Sequence, residues 1–242
     1  MPLAPKNYRL AIVTPLANEE ATLSEFLGRV TRQLNPQDSF ICVVDNVSTD
    51  RTREILESYS TQDPRVRCVW APENRCVVDA YFCGYREALA TDADWILEMD
   101  GGLSHCPEEI EGFRSAIEEN RYDYIGGCRF VAGGEHEGSI SRRLLSQAGT
   151  VLSNFVLGTT LKDMTSGFQC FTRDSLQYVL DQGVKSRAHF FQTEIKFLLR
   201  QHRCVEIPIT YQSPSSSVNH KVMIESVKNL ASMAIENRKN AA

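Results

Sequence analysis

Short apolar runs alternate along the first hundred residues with segments in which apolar positions recur every three or four residues. A short run bounded by turn residues is typical of a buried strand, and the wider spacing is typical of an amphipathic helix. The predicted strands are 8–15, 40–44, 66–70 and 95–100, and the helices between them carry residues 23–34, 55–59 and 77–90. This alternation predicts an α/β fold with a mostly parallel sheet and helices on both faces.

The second half of the chain alternates less regularly. Its pattern predicts a strand at 122–128, a glycine-rich loop at 131–139, helices at 142–157, 190–200 and 223–235, a strand at 204–211 and a polar loop at 213–219. No linker separates two independent units, so we expect one domain over residues 1–242. Asn18 is expected to cap the first helix and Thr49 or Asp50 the second, because these side chains accept hydrogen bonds from free backbone amides.

Polar side chains follow three of the predicted strands where each strand ends: Asn18 and Glu19, Asp45 and Asn46, and Asp100. In a parallel sheet these ends lie at one edge, which is where ligands of open α/β sheets bind. Acidic and amide groups there suit a ribose hydroxyl, a nucleobase edge or a hard cation. Taken alone, Asp100 is equally well explained as a turn residue ahead of two glycines.

Composition narrows the class of function. The chain has 242 residues, of which 42% are hydrophobic, and this is enough for a sizeable core. A net charge of −5 argues against a nucleic-acid partner bound through its backbone. No glycine-rich phosphate loop of the dinucleotide-binding or P-loop type is present. We interpret the run Glu135, His136 and Glu137 as solvated loop polarity rather than a metal site.

Cysteine usage and hydropathy bear on the compartment. The eight cysteines include no C-x-x-C pair, which favours a reducing, cytosolic environment over a structural zinc site or a disulfide scaffold. We expect neither a signal peptide nor a membrane span, since the required apolar segments are missing. The helix at 142–157 is amphipathic. Its apolar face is expected in the core, and contact with a bilayer surface is the alternative.

Seven segments in order along the chain match motifs of one enzyme family. They are 13–19 (VTPLANE), 43–52 (VVDNVSTDRT), 98–108 (EMDGGLSHCPE), 127–130 (GCRF), 163–168 (DMTSGF), 191–194 (FQTE) and 206–211 (EIPITY). The chain therefore resembles the family 2 inverting glycosyltransferases of GT-A fold, and within them the dolichyl- or polyprenyl-phosphate mannose synthases. The resemblance implies one Rossmann-like GT-A domain. Residues from about 8 to 105 would bind the nucleotide sugar, and residues from about 106 to 242 would form the acceptor side.

For the donor, the resemblance implies that Pro15, Glu19 and Asp45 hold the nucleotide, with Asn18 and Asn46 in the same loops. The donor would be a GDP- or UDP-linked sugar. Asp100 would bind a divalent cation, Mg²⁺ or Mn²⁺, on its diphosphate. Such cations prefer oxygen ligands, and they neutralise charge on the departing diphosphate.

For the phosphate groups, the resemblance implies roles for Arg129, Arg142, Ser146 and Lys221, the last of which would reach across the donor phosphates. Arginine suits bidentate phosphate contacts, whereas lysine acts as a point charge. The alternative for each basic residue is a solvated surface charge. In the segment FQTE, Gln192 and Glu194 are two positions apart and do not share a helix face, so we expect only one of them in the site.

Five positions depart from the family motifs: Ala17 replaces tyrosine, Asn46 and Gly102 replace aspartate, Cys76 replaces glycine and Gln169 replaces arginine. Gly102 removes one of two carboxylates from the cation site. A cation held by Asp100 alone would need the diphosphate and water as further ligands. Gln169 is expected to remove a positive charge that would bind phosphate.

The expected reaction is direct transfer of a sugar from a nucleoside diphosphate to an acceptor, with inversion. A lipid-phosphate acceptor is already anionic and needs no base, whereas a hydroxyl acceptor would need one, with Glu194 or Asp163 as candidates. We expect a cytoplasmic protein, with peripheral contact on the cytoplasmic membrane face as an option. Two alternatives remain open, a transferase acting on a small-molecule or saccharide hydroxyl and a non-catalytic member that binds nucleotide sugars.

Overall fold

The computed structural model describes residues 8–212 and 220–240, except for the side chains of residues 220–223, 236 and 238–240. The predicted polar loop at 213–219 therefore lies outside the described residues. In chain order the elements are β1 (Leu10–Leu16), α1 (Leu23–Thr31), β2 (Ser39–Val44), α2 (Thr52–Gln62), β3 (Val66–Trp70), α3 (Val77–Leu89), β4 (Trp95–Glu98), α4 (Ile110–Glu118), β5 (Tyr124–Cys128), β6 (Glu135–His136), α5 (Ile140–Leu157), β7 (Gln169–Thr172), α6 (Arg173–Gln182), α7 (Phe191–Leu198), β8 (Cys204–Pro208), β9 (Thr210–Tyr211) and α8 (His220–Asn240).

Seven strands form the main sheet in the order β3-β2-β1-β4-β7-β5-β8. The predicted parallel arrangement is confirmed for every neighbouring pair except those of β7, which runs antiparallel to β4 and to β5. The carboxyl ends of β1, β2, β4 and β5 therefore share one edge with the beginning of β7. This topology brings the loops after Leu16, Val44, Glu98 and Cys128 together with the segment that precedes Gln169.

Helices cover both faces of the sheet, as predicted. Alternate residues of β1 point to opposite sides, with Ile12 among side chains of α1, α2 and α4 and Val13 among side chains of α3, α6 and α7. Each large aliphatic side chain buried in these layers contributes about 1.5–3 kcal/mol. The two layers fix the strand ends, and hence the loops at the edge.

Several predicted boundaries are wrong. Asn18 does not cap α1, which begins at Leu23, because Asn18 has φ +57° and its side chain bonds to the neighbouring loop instead. The cap residue of α2 is Arg51, although Asp50 Oδ1 accepts the Thr52 amide at 3.0 Å.

The two predicted strands nearest the site are also shorter than expected. β4 ends at Glu98, so Asp100 lies in the turn that follows. The strand predicted at 204–211 is two strands, β8 and β9, and β9 pairs with β6 in a separate small sheet.

Candidate active site

Asp100 lies at the edge where the strand ends meet, and one of its two carboxylate oxygens accepts a hydrogen bond. Its Oδ1 accepts a hydrogen bond of 2.5 Å from the Tyr81 hydroxyl on α3. Its backbone amide donates to Nδ1 of the buried His105, which leaves the other ring nitrogen 3.9 Å from Asp100 Oδ2. Burial lowers the pKa of His105, and the ring stacks on Phe168 with centroids 4.8 Å apart. Asp100 is thus oriented from two sides while its side chain stays 38% exposed.

A buried polar network lies below Asp100. Its centre is the Glu98 carboxylate, which accepts hydrogen bonds from the side chains of Tyr85, Gln169 and Gln192. Gln169 in turn accepts from the Tyr124 hydroxyl at 2.9 Å. Burial raises the pKa of Glu98 to about 7, although the three donors act in the opposite direction. Because every described member has a partner, the network makes a rigid floor for the site.

The structure corrects the interpretation of Gln169 as a lost phosphate ligand. Gln169 pairs in register with Glu98 across the β4–β7 ladder, and its side chain is fully buried. A side chain at this position points into the floor of the site. An arginine here would meet Glu98 before it could meet a substrate phosphate.

The loops after β1 and β2 come together as predicted, and the side chain of Asn18 joins them. Asn18 donates to the Val47 carbonyl at 3.0 Å and accepts from the Thr49 amide at 2.9 Å. Asn46 joins the loop after β2 to the loop after β3, because its side chain donates to the Pro72 carbonyl at 2.8 Å. These contacts shape the loops that carry Glu19 and Asp45.

Gly102 and Glu19 meet where the loops after β1 and β4 touch. Gly102 has φ +69°, a left-handed conformation that glycine adopts without strain. A Cβ atom at this position would lie only 2.9 Å from Glu19 Oε1 and 3.0 Å from Oε2. The Glu19 carboxylate therefore fills the space that a side chain at position 102 would need.

Arg129 and Asp163 lie at the same edge of the sheet, after β5 and before β7. Both are buried, with Arg129 Nε 2.7 Å from Asp163 Oδ2 and Nη2 2.8 Å from Oδ1. Asp163 also accepts the backbone amides of Thr165 and Ser166, each at 3.1 Å. The guanidinium holds the pKa of Asp163 below its usual value against the opposing effect of burial. This ion pair fixes the loop 163–168 beside the site.

Comparison with known proteins identifies the family. The sequence profile of glycosyl transferase family 2 matches residues 11–180. The chain belongs to glycosyl transferase family 2. It is 30% identical to the undecaprenyl-phosphate mannosyltransferase of Micrococcus luteus over 206 residues, covering 84% of this chain and 83% of the relative. It is also 30% identical to the polyprenol monophosphomannose synthase of Mycolicibacterium smegmatis over 207 residues, covering 84% and 77%.

A solved structure supports the GT-A fold. The glucosyl-3-phosphoglycerate synthase of Mycobacterium tuberculosis, crystallised with Mn²⁺, UDP and phosphoglyceric acid, superposes with a TM-score of 0.70. The likeness covers 94% of this chain and 79% of that enzyme at 15% identity. At that identity the likeness is evidence for the fold alone.

In this transferase, Gln192 and Glu194 point to different surroundings, in line with their spacing. Gln192 joins the network around Glu98. The Glu194 carboxylate accepts the backbone amides of Lys185 at 2.6 Å and Ser186 at 3.0 Å, and burial raises its pKa. Glu194 therefore contacts the loop before α7, and none of its hydrogen bonds in the described part of the chain joins it to Asp100.

Two residues without a predicted role contribute to the transferase's site. His105 belongs to a motif that was recognised, but the sequence did not indicate its contact with Asp100. Lys196 is 2% exposed and donates to the Ser166 carbonyl at 2.6 Å. Burial lowers the pKa of Lys196 to about 8. The only sequence signal for it is a lysine within the apolar segment of α7.

Helix α5 has the opposite of the predicted orientation. Its buried residues are Thr150, Ser153 and Leu157, whereas six of its large apolar side chains face outward. Those exposed on α5 are Ile140, Leu144, Leu145, Val151, Leu152 and Phe155, and α8, which packs against it, exposes Ile224, Val227 and Ile235. The expectation that this apolar face lies in the core is wrong.

The remaining predicted residues belong to the same two helices. Arg142 and Ser146 are half-buried and lie one turn apart on α5. Lys221 lies in the first turn of α8, but its side chain is outside the described part of the chain. Within residues 8–212 and 220–240, no helix is long and apolar enough to cross a bilayer.

Proposed function

We propose that this transferase moves a hexose such as mannose from a GDP- or UDP-linked donor to the phosphate of a polyprenyl-type lipid, with inversion. The observation that carries the proposal is Asp100, which lies at the shared strand edge with its side chain 38% exposed and its Oδ1 bonded to the Tyr81 hydroxyl. The relatives in Micrococcus and Mycolicibacterium are named for mannosyl transfer to undecaprenyl phosphate and for polyprenol monophosphomannose synthesis. Those names supply the acceptor class.

On the donor side, Asp45 and Pro15 would contact the nucleoside, with Asn18 and Asn46 holding their loops in place. Asp100 would hold Mg²⁺ or Mn²⁺ on the diphosphate. Asp100 suits a cation because its carboxylate is 38% exposed and is already oriented by the Tyr81 hydroxyl. The described residues contain no group of three or more histidine, cysteine or acidic side chains suited to a metal. Diphosphate and water oxygens would therefore complete the ligand set. A bound cation would neutralise charge on the leaving diphosphate.

On the acceptor side, Arg142 and Ser146 would contact the acceptor phosphate and Lys221 the donor phosphates. Arg129, whose guanidinium is paired with Asp163, would hold the loop 163–168 in place beside the phosphate groups. A phosphate oxygen of the acceptor forms the new bond to the anomeric carbon as the bond from that carbon to the donor diphosphate breaks. The acceptor is already anionic, so no base is required. This agrees with the engagement of both candidate bases, Asp163 by Arg129 and Glu194 by backbone amides.

The outward apolar face of α5 and α8 suits a lipid acceptor. A helix that presents large apolar side chains to solvent can lie in a bilayer interface with those side chains buried. We propose that this face rests on the cytoplasmic side of a membrane. The lipid phosphate would then lie near the first turns of α5, where Arg142 and Ser146 are located.

The test is transfer of radiolabelled sugar from GDP-mannose, and separately from UDP-glucose, to undecaprenyl phosphate in detergent, with undecaprenol as the matched alcohol. Labelled lipid is expected only with the phosphate acceptor and only with Mg²⁺ or Mn²⁺. Asp100→Ala should lower kcat by about 10³-fold, since a cation on the leaving group contributes several kcal/mol.

The control is Asp92→Ala, whose side chain is 86% exposed. It should leave the rate unchanged. Transfer to the alcohol but not to the phosphate would overturn the acceptor class. Full activity in Asp100→Ala would overturn the site, and no transfer from either donor would overturn catalysis.

A further inference from the structure

We infer that Glu19 supplies the second carboxylate of the cation site, in place of the aspartate that Gly102 lacks. This rests on the proposed function, because it assumes a cation at Asp100. It differs from the role that the family resemblance implies for Glu19, which is to hold the nucleotide.

The first support is the position of the Glu19 carboxylate. A Cβ atom on Gly102 would be 2.9 Å from Oε1 and 3.0 Å from Oε2. An aspartate carboxylate carbon lies only one bond beyond Cβ, so the Glu19 oxygens occupy the space where an aspartate side chain would stand. The missing carboxylate is thus replaced from the loop after β1, which neighbours β4 in the sheet.

The second support is that Glu19 is already held in this orientation. Its backbone amide donates to Thr52 Oγ1 at 2.8 Å, and the Thr22 hydroxyl donates to its Oε2 at 2.8 Å. Its carbonyl accepts the amides of Thr22 and Leu23 at the beginning of α1. A ligand fixed in this way loses little conformational freedom when it binds.

The third support is charge. In the described residues, neither Asp100 nor Glu19 forms an ion pair with a lysine or arginine. The basic ring that meets Asp100 there is His105, whose Nε2 lies 3.9 Å from Asp100 Oδ2. Two carboxylates without a lysine or arginine partner, on adjoining loops of one edge, are suited to share a divalent cation.

The test measures Mn²⁺ binding by the loss of the free Mn²⁺ signal in electron paramagnetic resonance, with GDP and with UDP present. Glu19→Gln keeps the shape of the side chain and removes its charge. It should weaken Mn²⁺ binding at least about tenfold while leaving metal-free nucleotide affinity unchanged. Glu20→Gln, at the neighbouring exposed carboxylate, is the matched control and should bind as the wild type does.

A charge-relocation pair makes the test specific. Gly102→Asp alone should not improve binding, because the new side chain collides with Glu19. The double variant Glu19→Ala with Gly102→Asp should recover Mn²⁺ affinity to within about threefold of the wild type. Thermal unfolding checks that each variant is folded.

Two outcomes would overturn the inference. One is wild-type Mn²⁺ affinity in Glu19→Gln, and the other is a loss of metal-free nucleotide affinity in that variant. Both leave the proposed function standing as long as the wild type binds nucleotide with Mn²⁺. If the wild type binds neither nucleotide with or without Mn²⁺, the proposed function itself fails and this inference fails with it.

Discussion

The sheet edge around Asp100 and the outer face of α5 differ in how far contacts within the chain satisfy their side chains. At the edge, the Tyr81 hydroxyl donates to the Asp100 carboxylate and the Asp100 backbone amide donates to His105, while the network around Glu98 lies beneath them. On α5, six large apolar side chains face outward while threonine and serine are buried. Contacts within the described chain therefore hold the edge in place, whereas the large apolar side chains on the outer face of α5 stay exposed.

The buried Arg129–Asp163 pair belongs to the sheet edge. Removing one partner should lower the stability of the protein strongly. Asp163→Asn leaves the guanidinium buried without its counter-charge, which we expect to lower the free energy of unfolding by about 3–5 kcal/mol. Urea titration followed by circular dichroism measures this loss.

The control for that loss is Glu57→Gln, which breaks the exposed Arg53–Glu57 pair and should cost less than about 1 kcal/mol. Equal losses in the two variants would mean that the loop 163–168 is not held by its buried pair. The contrast between a sheet edge held by buried contacts and a helix face with exposed apolar side chains would then lose its support.

The helix face should show a smaller effect, and only in the presence of lipid. Val151 and Phe155 lie one turn apart on α5 and are 68% and 87% exposed. Replacing both by serine removes apolar area that would enter the bilayer interface, so vesicle binding should weaken about tenfold or more without loss of stability. Co-sedimentation with phosphatidylglycerol–phosphatidylcholine vesicles measures the change.

Val47→Ser is the matched control, because Val47 is 61% exposed but lies in the loop after β2 and not on α5 or α8. It should sediment with vesicles as the wild type does. If the α5 double variant also sediments like the wild type, the outward face has another partner and the comparison between the two regions loses its physical reason.

The spacing of apolar residues predicted the features of the fold that depend on short stretches of sequence. Alternating apolar spacing predicted the order of strands and helices in the first half, and parallel pairing then placed the loops carrying Glu19, Asp45 and Asp100 at one edge. The loop contacts that complete the site join residues far apart in sequence. Asn18 bonds with Thr49, 31 positions away, and this contact takes it out of the capping role that its residue type suggested.

The orientation of individual side chains was less predictable. The antiparallel register of β7 turns Gln169 into the floor of the site, which its place in a motif did not indicate. Helix α5 has a clear apolar face, but amphipathic periodicity gives no information on whether core or membrane receives that face. The contact between Glu19 and Gly102 depends on the approach of two loops that the motifs describe separately.

Anomalous diffraction at the manganese edge, from crystals grown with Mn²⁺ and GDP or UDP, tests the central claim most directly. We expect one strong peak within about 2.0–2.4 Å of oxygens from Asp100, Glu19 and the diphosphate. A peak at the loop of Glu135 and His136, or nucleotide bound at the edge with no metal beside Asp100, would contradict the account.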